Sequence, residues 1–204
     1  MNMPDAAKML NAKKFIKKTM DTRLPKEQSD RLWKKAEERL RKILETYPDI
    51  PEKERLHPYN YIFPTAAVYL TLKEEIGAPK AYDIIESTIS QMTEDVGRQL
   101  ANLIHFPGFR SLFLWAWGPV SRNMFGPSRG FRNVFYPKKK GEMRMDILAC
   151  PYCKWFGELG CFELTKIYCD NDERTYGHLP GLKFQRTQTL GKNGEKCDFL
   201  IRKE

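Results

Sequence analysis

The chain has 204 residues, with a hydrophobic share of 41% and a charged share of 30%, a balance typical of a folded globular protein and not of a disordered one. A net charge of +9 would suit nucleic acid, but basic and acidic residues intermix and no nucleic-acid-reading motif occurs. The longest apolar run, 112–117, is too short to span a bilayer and the N-terminal sequence lacks the apolar block of a signal peptide, so we expect a cytoplasmic protein that binds neither nucleic acid nor membrane.

The first half of the chain predicts helices separated by proline-containing segments. Between Lys26 and Tyr47, apolar residues recur at steps of three and four, which predicts an amphipathic helix ended by Pro48. Residues 54–64 predict a loop, after which Thr65 is expected to cap a helix over 66–76 that stops at Gly77. The first apolar stripe consists of Leu32, Ala36, Leu40, Ile43, Leu44 and Tyr47.

Two further helices are predicted before residue 125. Pro79 opens a long helix that runs to a break at Pro107 and Gly108, and a shorter, very apolar helix is predicted from Phe109 to about Met124. The long helix is expected to face inward along Tyr82, Ile85, Ile89, Met92, Val96, Leu100 and Leu103.

Beyond residue 125 the spacing of apolar residues becomes that of strands. Strands are predicted at 131–135, 144–149, 182–190 and 196–202, with a helix from Glu163 to about Tyr176 between the second and the third. Helices first and antiparallel strands last predict an α+β fold, in which an N-terminal helical half packs on a small C-terminal antiparallel sheet. The length favours one domain over 1–204, mainly helical over 1–125 and sheet-containing over 126–204.

Three of the five cysteines lie in ACPYCKWFGELGC, residues 149–161. Cys150 and Cys153 have the spacing of a glutaredoxin dithiol, but that fold needs parallel strands, and the following sequence predicts only a helix and a hairpin. A structural zinc site usually needs two close ligand pairs, whereas Cys161, Cys169 and Cys197 are isolated in the sequence. We therefore expect no redox disulfide, no metal and no required cofactor, with Cys153 and Cys161 as buried thiols.

Five short motifs follow one another in the order of a known family signature. They are ACPY at 149–152, FEL at 162–164, YCDND at 168–172, FQRTQTL at 184–190 and GEKCDF at 194–199. In this order they resemble the C-terminal signature of the L-2-amino-thiazoline-4-carboxylic acid hydrolases, whereas the helical half resembles that family only in layout. The resemblance implies hydrolytic opening of a small cyclic isothiourea carboxylate, an anionic substrate, to a carbamoyl-cysteine.

Residues within the motifs suit the binding of such a substrate. A carboxylate is best held by a fixed guanidinium, and Arg186 is expected on a strand beside the hydroxyls of Thr187 and Thr189. Asp198, on the last strand, is expected to alternate with Cys197, so that only one of the two faces the core. The predicted substrate-binding set is Arg186, Thr187, Thr189 and Asp198.

Reaction at the ring carbon needs a base and then an acid, or a thiolate nucleophile. Glu163, Asp170 and Asp172 are the candidate carboxylates. Cys150 is expected to cap a helix that starts one residue later, where the helix dipole favours a thiolate, so it is a better nucleophile than Cys169, which lies beside acidic residues. Covalent catalysis through Cys150 and catalysis by activated water both stay open.

The competing class is a binding module without catalysis. The alternating strand that closes in Cys-x-Phe also resembles 4-vinyl-reductase-type domains, which bind small molecules. In that case Arg186 would pair with Asp170 or Asp198 and only hold the sheet. Convergence of the predicted residues on one cleft would favour the hydrolase. The sequence leaves the oligomeric state open, including a homo-oligomer.

Overall fold

The computed structural model of the protein describes residues 4–137 and 139–204. None of the described helices is both long and apolar enough to cross a lipid bilayer. A 3-10 helix over Glu52–Glu54 and a π-helical turn over Pro58–Ile62 precede the fourth helix. In chain order, the α-helices and strands are α1 Ala6–Asn11, α2 Lys14–Arg23, α3 Lys26–Thr46, α4 Phe63–Ile76, α5 Ala78–Ile104, α6 Phe109–Phe125, β1 Arg132–Phe135, β2 Glu142–Ala149, α7 Pro151–Glu158, α8 Leu164–Tyr176, β3 Leu182–Gln185 and β4 Cys197–Lys203.

The chain forms two compact units. The first contains the chain up to Ile89 together with 155–164, and the second contains 90–154 together with 165–204. Helices α5 and α7 therefore contribute residues to both units. The predicted organisation as one domain, divided at residue 125, stays a prediction.

The first unit is helical, and α3 and α4 form its centre. Except for the half-buried Tyr47, the predicted apolar stripe of α3 is buried. Trp155 packs edge-on against two aromatic rings, with ring centroids 5.3 Å from Phe63 and 5.1 Å from Tyr47. The periodicity of α3 thus predicted both the helix and the face that it buries.

Helix α4 begins three residues earlier than predicted. It starts at Phe63, so Thr65 lies inside the helix as a buried side chain and does not cap it. Pro64 occupies the first turn of α4 and Pro58 the first position of the π-helical turn, where a missing N–H and a fixed φ are compatible with a helix. Both prolines lie at the start of helical segments, and the predicted loop is wrong from residue 56 onward, where helical backbone begins. The predicted end at Gly77, with a φ of 84°, is confirmed.

The second unit contains a four-stranded antiparallel sheet with the order β1-β2-β4-β3. Alternate residues of β2 and β4 point to a buried face, including Met145 and Ile147 of β2 and Phe199 and Ile201 of β4. Residues of α5, α6 and α8 within this unit complete the same apolar cluster, with Tyr176 edge-on to Phe199 at 5.8 Å. This arrangement confirms the α+β fold class.

The predicted inward stripe of α5 is correct only in part. Ile85 and Ile89 are buried, but Met92, Val96 and Leu103 are exposed. Within the second unit α5 instead buries Gly97 and Ile104. A Cβ at Gly97 would lie 2.5 Å from the carbonyl oxygen of Arg174, so α8 passes too close for any side chain. Close backbone packing against α8 therefore decides which face of α5 is buried here.

Strand β3 is shorter than predicted and ends at Gln185, before Arg186. Its pairing with β4 stops there because the next backbone N–H groups donate to a side-chain carboxylate and not to backbone carbonyls of β4. The N–H groups of Thr187 and Gln188 both donate to Oδ1 of Asp198 at 2.9 Å. Arg186, Thr187 and Thr189 consequently lie on an extended segment held by a carboxylate and not on a regular strand.

Candidate functional site

Cys150, the first of the predicted catalytic residues along the chain, joins strand β2 to helix α7. Helix α7 begins at Pro151, as the sequence predicted. The carbonyl of Cys150 accepts a hydrogen bond from the N–H of Lys154 at 3.1 Å, and the N–H groups of Tyr152 and Cys153 donate to its sulfur. The thiol therefore takes the place of the oxygen that usually caps a helix N-terminus.

The two thiols of the CPYC motif share a hydrogen bond. Cys153 and deep burial raise the pKa of Cys150 well above its ordinary value and outweigh the two backbone donors. The hydrogen bond from Cys150 lowers the pKa of Cys153 despite partial burial. Cys153 is thus the more readily ionised thiol of the pair, and the raised pKa of Cys150 goes against the thiolate that the helix start predicted there.

Two further thiols approach this pair. Burial raises the pKa of Cys169, although the Thr189 hydroxyl opposes the shift, and the charge of Cys153 adds to it. Burial also raises the pKa of Cys197 to about 12. Cys169 lies so close to Gly191 that a Cβ there would be 2.7 Å from its sulfur, which explains the glycine in the turn after Leu190.

All five cysteines are free thiols. Within residues 4–137 and 139–204, no three or more histidine, cysteine or acidic side chains are arranged to hold a metal ion. The absence of a bound metal and of a redox disulfide in solution stays a prediction.

Arg186 and Asp172 form the charged centre of the site. Nη1 of Arg186 donates to Oδ2 of Asp172 and to the carbonyl oxygen of Cys169, both at 2.8 Å. The Arg186 side chain is only 6% exposed, whereas Asp172 keeps 35% of its side chain open to solvent. Dense surrounding protein raises the pKa of Asp172 to about 6, although Arg186 acts in the opposite direction. Asp172 therefore titrates near neutral pH while it stays within reach of a ligand.

Thr187 and Asp198 belong to the other face of the sheet. The Thr187 hydroxyl donates to Oδ2 of Asp198 at 2.5 Å, in addition to the two backbone N–H bonds to Oδ1. Burial acts to raise the pKa of Asp198, but these hydrogen bonds together lower it. Cys197 points into the core, so the predicted alternation of Cys197 and Asp198 is confirmed. Geometry gives Thr187 and Asp198 a structural contact between the extended segment and β4.

The two remaining carboxylates form ion pairs with lysines. Asp170 pairs with Lys192. Glu163 belongs to the first unit, where it accepts hydrogen bonds from the Tyr69 hydroxyl at 2.5 Å and from Lys73 at 2.9 Å. Burial acts to raise the pKa of Glu163, but Tyr69 and Lys73 lower it overall.

The structure thus divides the predicted residues into three sets. Interacting groups on one side of the second unit are Cys169, Asp172, Arg186 and Thr189, with Asp170 close enough to influence Asp172. Cys150 is linked to them only through Cys153, which shares its hydrogen bond and whose charge acts on Cys169. Thr187 and Asp198 contact each other on the opposite face, and Glu163 lies in the first unit. Sequence reasoning gave Cys153 and Cys197 no role, although both belong to the thiol group. The CPYC spacing was the sequence signal that Cys153 lies close to Cys150. The predicted alternation with Asp198 was the signal that Cys197 can point into the core.

The α+β fold thus gathers several thiols in the same unit as a buried arginine and a carboxyl group whose pKa is raised to about 6. The chain belongs to the family of L-2-amino-thiazoline-4-carboxylic acid hydrolases, whose model matches residues 55–201. The match extends far upstream of the C-terminal motifs and confirms the resemblance seen in them. No curated protein and no solved structure shows a significant match to the chain.

Proposed function

We propose that the protein opens a small cyclic isothiourea or amidine carboxylate, such as L-2-amino-thiazoline-4-carboxylate, by hydrolysis. Water would add to the ring carbon between nitrogen and sulfur, and the carbon–sulfur bond would break. The leaving sulfur would take up a proton, which gives a carbamoyl-cysteine. The observation that carries the proposal is the Arg186–Asp172 pair, which combines an anion-binding group with a carboxyl group of near-neutral pKa.

Arg186 is suited to bind the substrate carboxylate. Asp172 and the Cys169 carbonyl occupy Nη1, and neither Nε nor Nη2 donates to another residue in the described part of the chain. These two donors lie on one edge of the guanidinium and match the two oxygens of a carboxylate. The contacts at Nη1 would hold that edge in position before substrate binds.

Asp172 is suited to transfer the protons. With a pKa of about 6, it is mostly ionised at neutral pH yet readily protonated. Its Oδ1 accepts no hydrogen bond from the described residues, so it is available to take a proton from water. The protonated carboxyl group would then protonate the leaving sulfur.

The thiol pair favours the water route over a covalent one. Covalent catalysis by Cys150 would require its thiol to ionise while Cys153 keeps a proton. The shared hydrogen bond favours the opposite distribution. We therefore assign the attack to water activated by Asp172, with the thiols lining the site.

The test is to incubate the protein with L-2-amino-thiazoline-4-carboxylate and follow the free-thiol product by liquid chromatography and mass spectrometry. The matched control substrate is its carboxamide, which has the same ring without the charge. We expect turnover of the acid and much weaker binding of the carboxamide. Binding of the acid without any turnover would refute hydrolysis and favour the non-catalytic binding module. Equal turnover of both compounds would refute the carboxylate role of Arg186.

A further inference from the structure

The second unit contains a groove of about 610 Å³ between α6 and the β1–β2 hairpin. Its volume lies within the range of about 300–1,000 Å³ that is common for small-molecule sites. None of its lining residues belongs to the Arg186–Asp172 site. The groove is therefore a separate cavity that the proposed hydrolysis does not use.

The groove is strongly basic. Its lining residues include five that carry a cation, against the single acidic residue Glu142, and the five are Arg122, Lys139, Lys140, Arg144 and Lys203. No carboxylate in the described part of the chain forms an ion pair with any of them. An anion that enters the groove would thus meet uncompensated positive charge.

Two of these cations are held in place without using their hydrogen-bond donors. The Arg122 guanidinium lies 4.2 Å from the ring centroid of Phe135, and that of Arg144 lies 4.3 Å from the ring centroid of Tyr136. Stacking on a ring orients a guanidinium while its N–H groups stay in the plane of the group. Neither guanidinium donates a hydrogen bond to another described residue. Because Met143 and Met145 face α6, the Arg144 side chain between them lies on the other face of the sheet, so Arg122 is the stacked cation that presents its donors to the α6 side of the groove.

The other wall of the groove is apolar. It is formed by α6 residues that include Leu114, Trp115 and Pro119, and by Phe135 and Met143 from the hairpin. Trp115 is 63% exposed, which is unusual for a tryptophan in a folded protein. A ligand with an apolar body would cover this surface.

We propose that this groove binds a small amphipathic organic acid, whose anionic group pairs with Arg122 and whose apolar body lies against Trp115. The combination of an oriented cation with an apolar wall in one cavity favours such a ligand over a nucleic acid, which would need a continuous basic track and stacked bases. A lipid surface could satisfy the same charges, and the experiment separates it from a free acid.

The probe is decanoate, titrated into the full-length protein by calorimetry, with decanol as the uncharged analogue. We expect decanoate to bind and decanol to bind at least tenfold more weakly. Arg122→Ala should weaken decanoate binding about tenfold, the typical loss of a charge-assisted hydrogen bond, whereas Arg144→Ala, stacked in the same way on the other face of the sheet, should leave it unchanged. Arg98→Ala, an exposed arginine of α5 that pairs with Asp95, is the matched control and should bind as the wild type does.

Both groove arginines are exposed, so we expect their variants to keep the far-ultraviolet spectrum and the hydrolase activity of the wild type. The proposal is overturned by equal binding of decanol, by unchanged binding in the Arg122 variant, or by no binding of decanoate. It is also overturned if Arg122 is needed for sedimentation with phosphatidylglycerol vesicles while monomeric decanoate does not bind. None of these outcomes bears on turnover at Asp172, so the two proposals fail separately.

Discussion

Replacement of Arg186 by lysine tests the proposed carboxylate binding most specifically within the site. Lysine keeps the charge and can still pair with Asp172, but a single ammonium group cannot also reach the Cys169 carbonyl and present two parallel donors to a ligand. A hydrogen bond to a charged group contributes about 1.5–3 kcal/mol. The loss of one such bond to the substrate should therefore raise the Michaelis constant by about 10- to 150-fold.

The same substitution should also lower stability slightly. The lost bond to the Cys169 carbonyl is worth about 0.5–1.5 kcal/mol, and each kcal/mol shifts the melting temperature of a protein of this size by about 2–4 °C. Steady-state kinetics and a thermal melt on the same preparation separate the two effects. Arg98→Lys, at an exposed helix position, should change neither quantity. A lowered melting temperature with an unchanged Michaelis constant would show that Arg186 only holds the segment after β3.

The remaining predictions concern pH, the thiols and the first unit. Because Asp172 acts as a base in its ionised form and has a pKa of about 6, kcat/KM should fall as the pH drops below about 6; a profile that is flat from pH 5 to 8 would contradict this role. Iodoacetamide should modify Cys153 faster than Cys150, as peptide mass spectrometry would show, because its pKa is the lower of the two. Cys153→Ser should keep turnover, and loss of turnover with the fold intact would revive a redox role. Glu163→Gln should lower the free energy of unfolding by about 1 kcal/mol, since its partner Tyr69 is buried but the carboxylate is partly exposed; an unchanged denaturant midpoint would contradict this.

The sequence was most informative where an apolar stripe continues unbroken along a helix. The apolar stripe of α3 predicted a buried face that the structure confirms, and α3 packs against α1, α2 and α4. The stripe of α5 failed at Met92, Val96 and Leu103, because Gly97 allows α8 to approach the α5 backbone and the buried face changes. The presence of Gly97 inside a predicted helix, away from any turn, was the local sequence signal for that close approach.

The sequence did not predict the side-chain hydrogen bonds that replace the backbone pairing of strands β3 and β4. The alternating pattern over 182–190 predicted one strand, but Asp198 binds the backbone of Thr187 and Gln188 and ends β3 early. That contact also moves Thr187 and Asp198 away from the face that carries Arg186. The order of the motifs therefore predicted the family. Which motif residues lie on each face of the sheet became clear only from the structure.

The pKa order of the CPYC thiols could not be predicted from the motif either. The helix start at Cys150 was correct, and its backbone donors are present. The hydrogen bond to Cys153 and burial nevertheless raise the pKa of Cys150, against the thiolate that the helix start predicted. Burial depends on residues distant in sequence, so only the fold shows which of the two thiols is the more acidic.

The most direct test of the central claim is the turnover number of Asp172→Asn on L-2-amino-thiazoline-4-carboxylate, measured beside that of Asp95→Asn. Asp95 lies on an exposed face of α5 in the same unit and pairs only with Arg98 among the described residues, so it controls for the loss of one carboxylate. If Asp172 moves the protons, its amide variant should lose about 100-fold or more in kcat while the fold and substrate binding persist, and Asp95→Asn should match the wild type. A kcat of Asp172→Asn within a few-fold of the wild-type value would contradict the proposed mechanism.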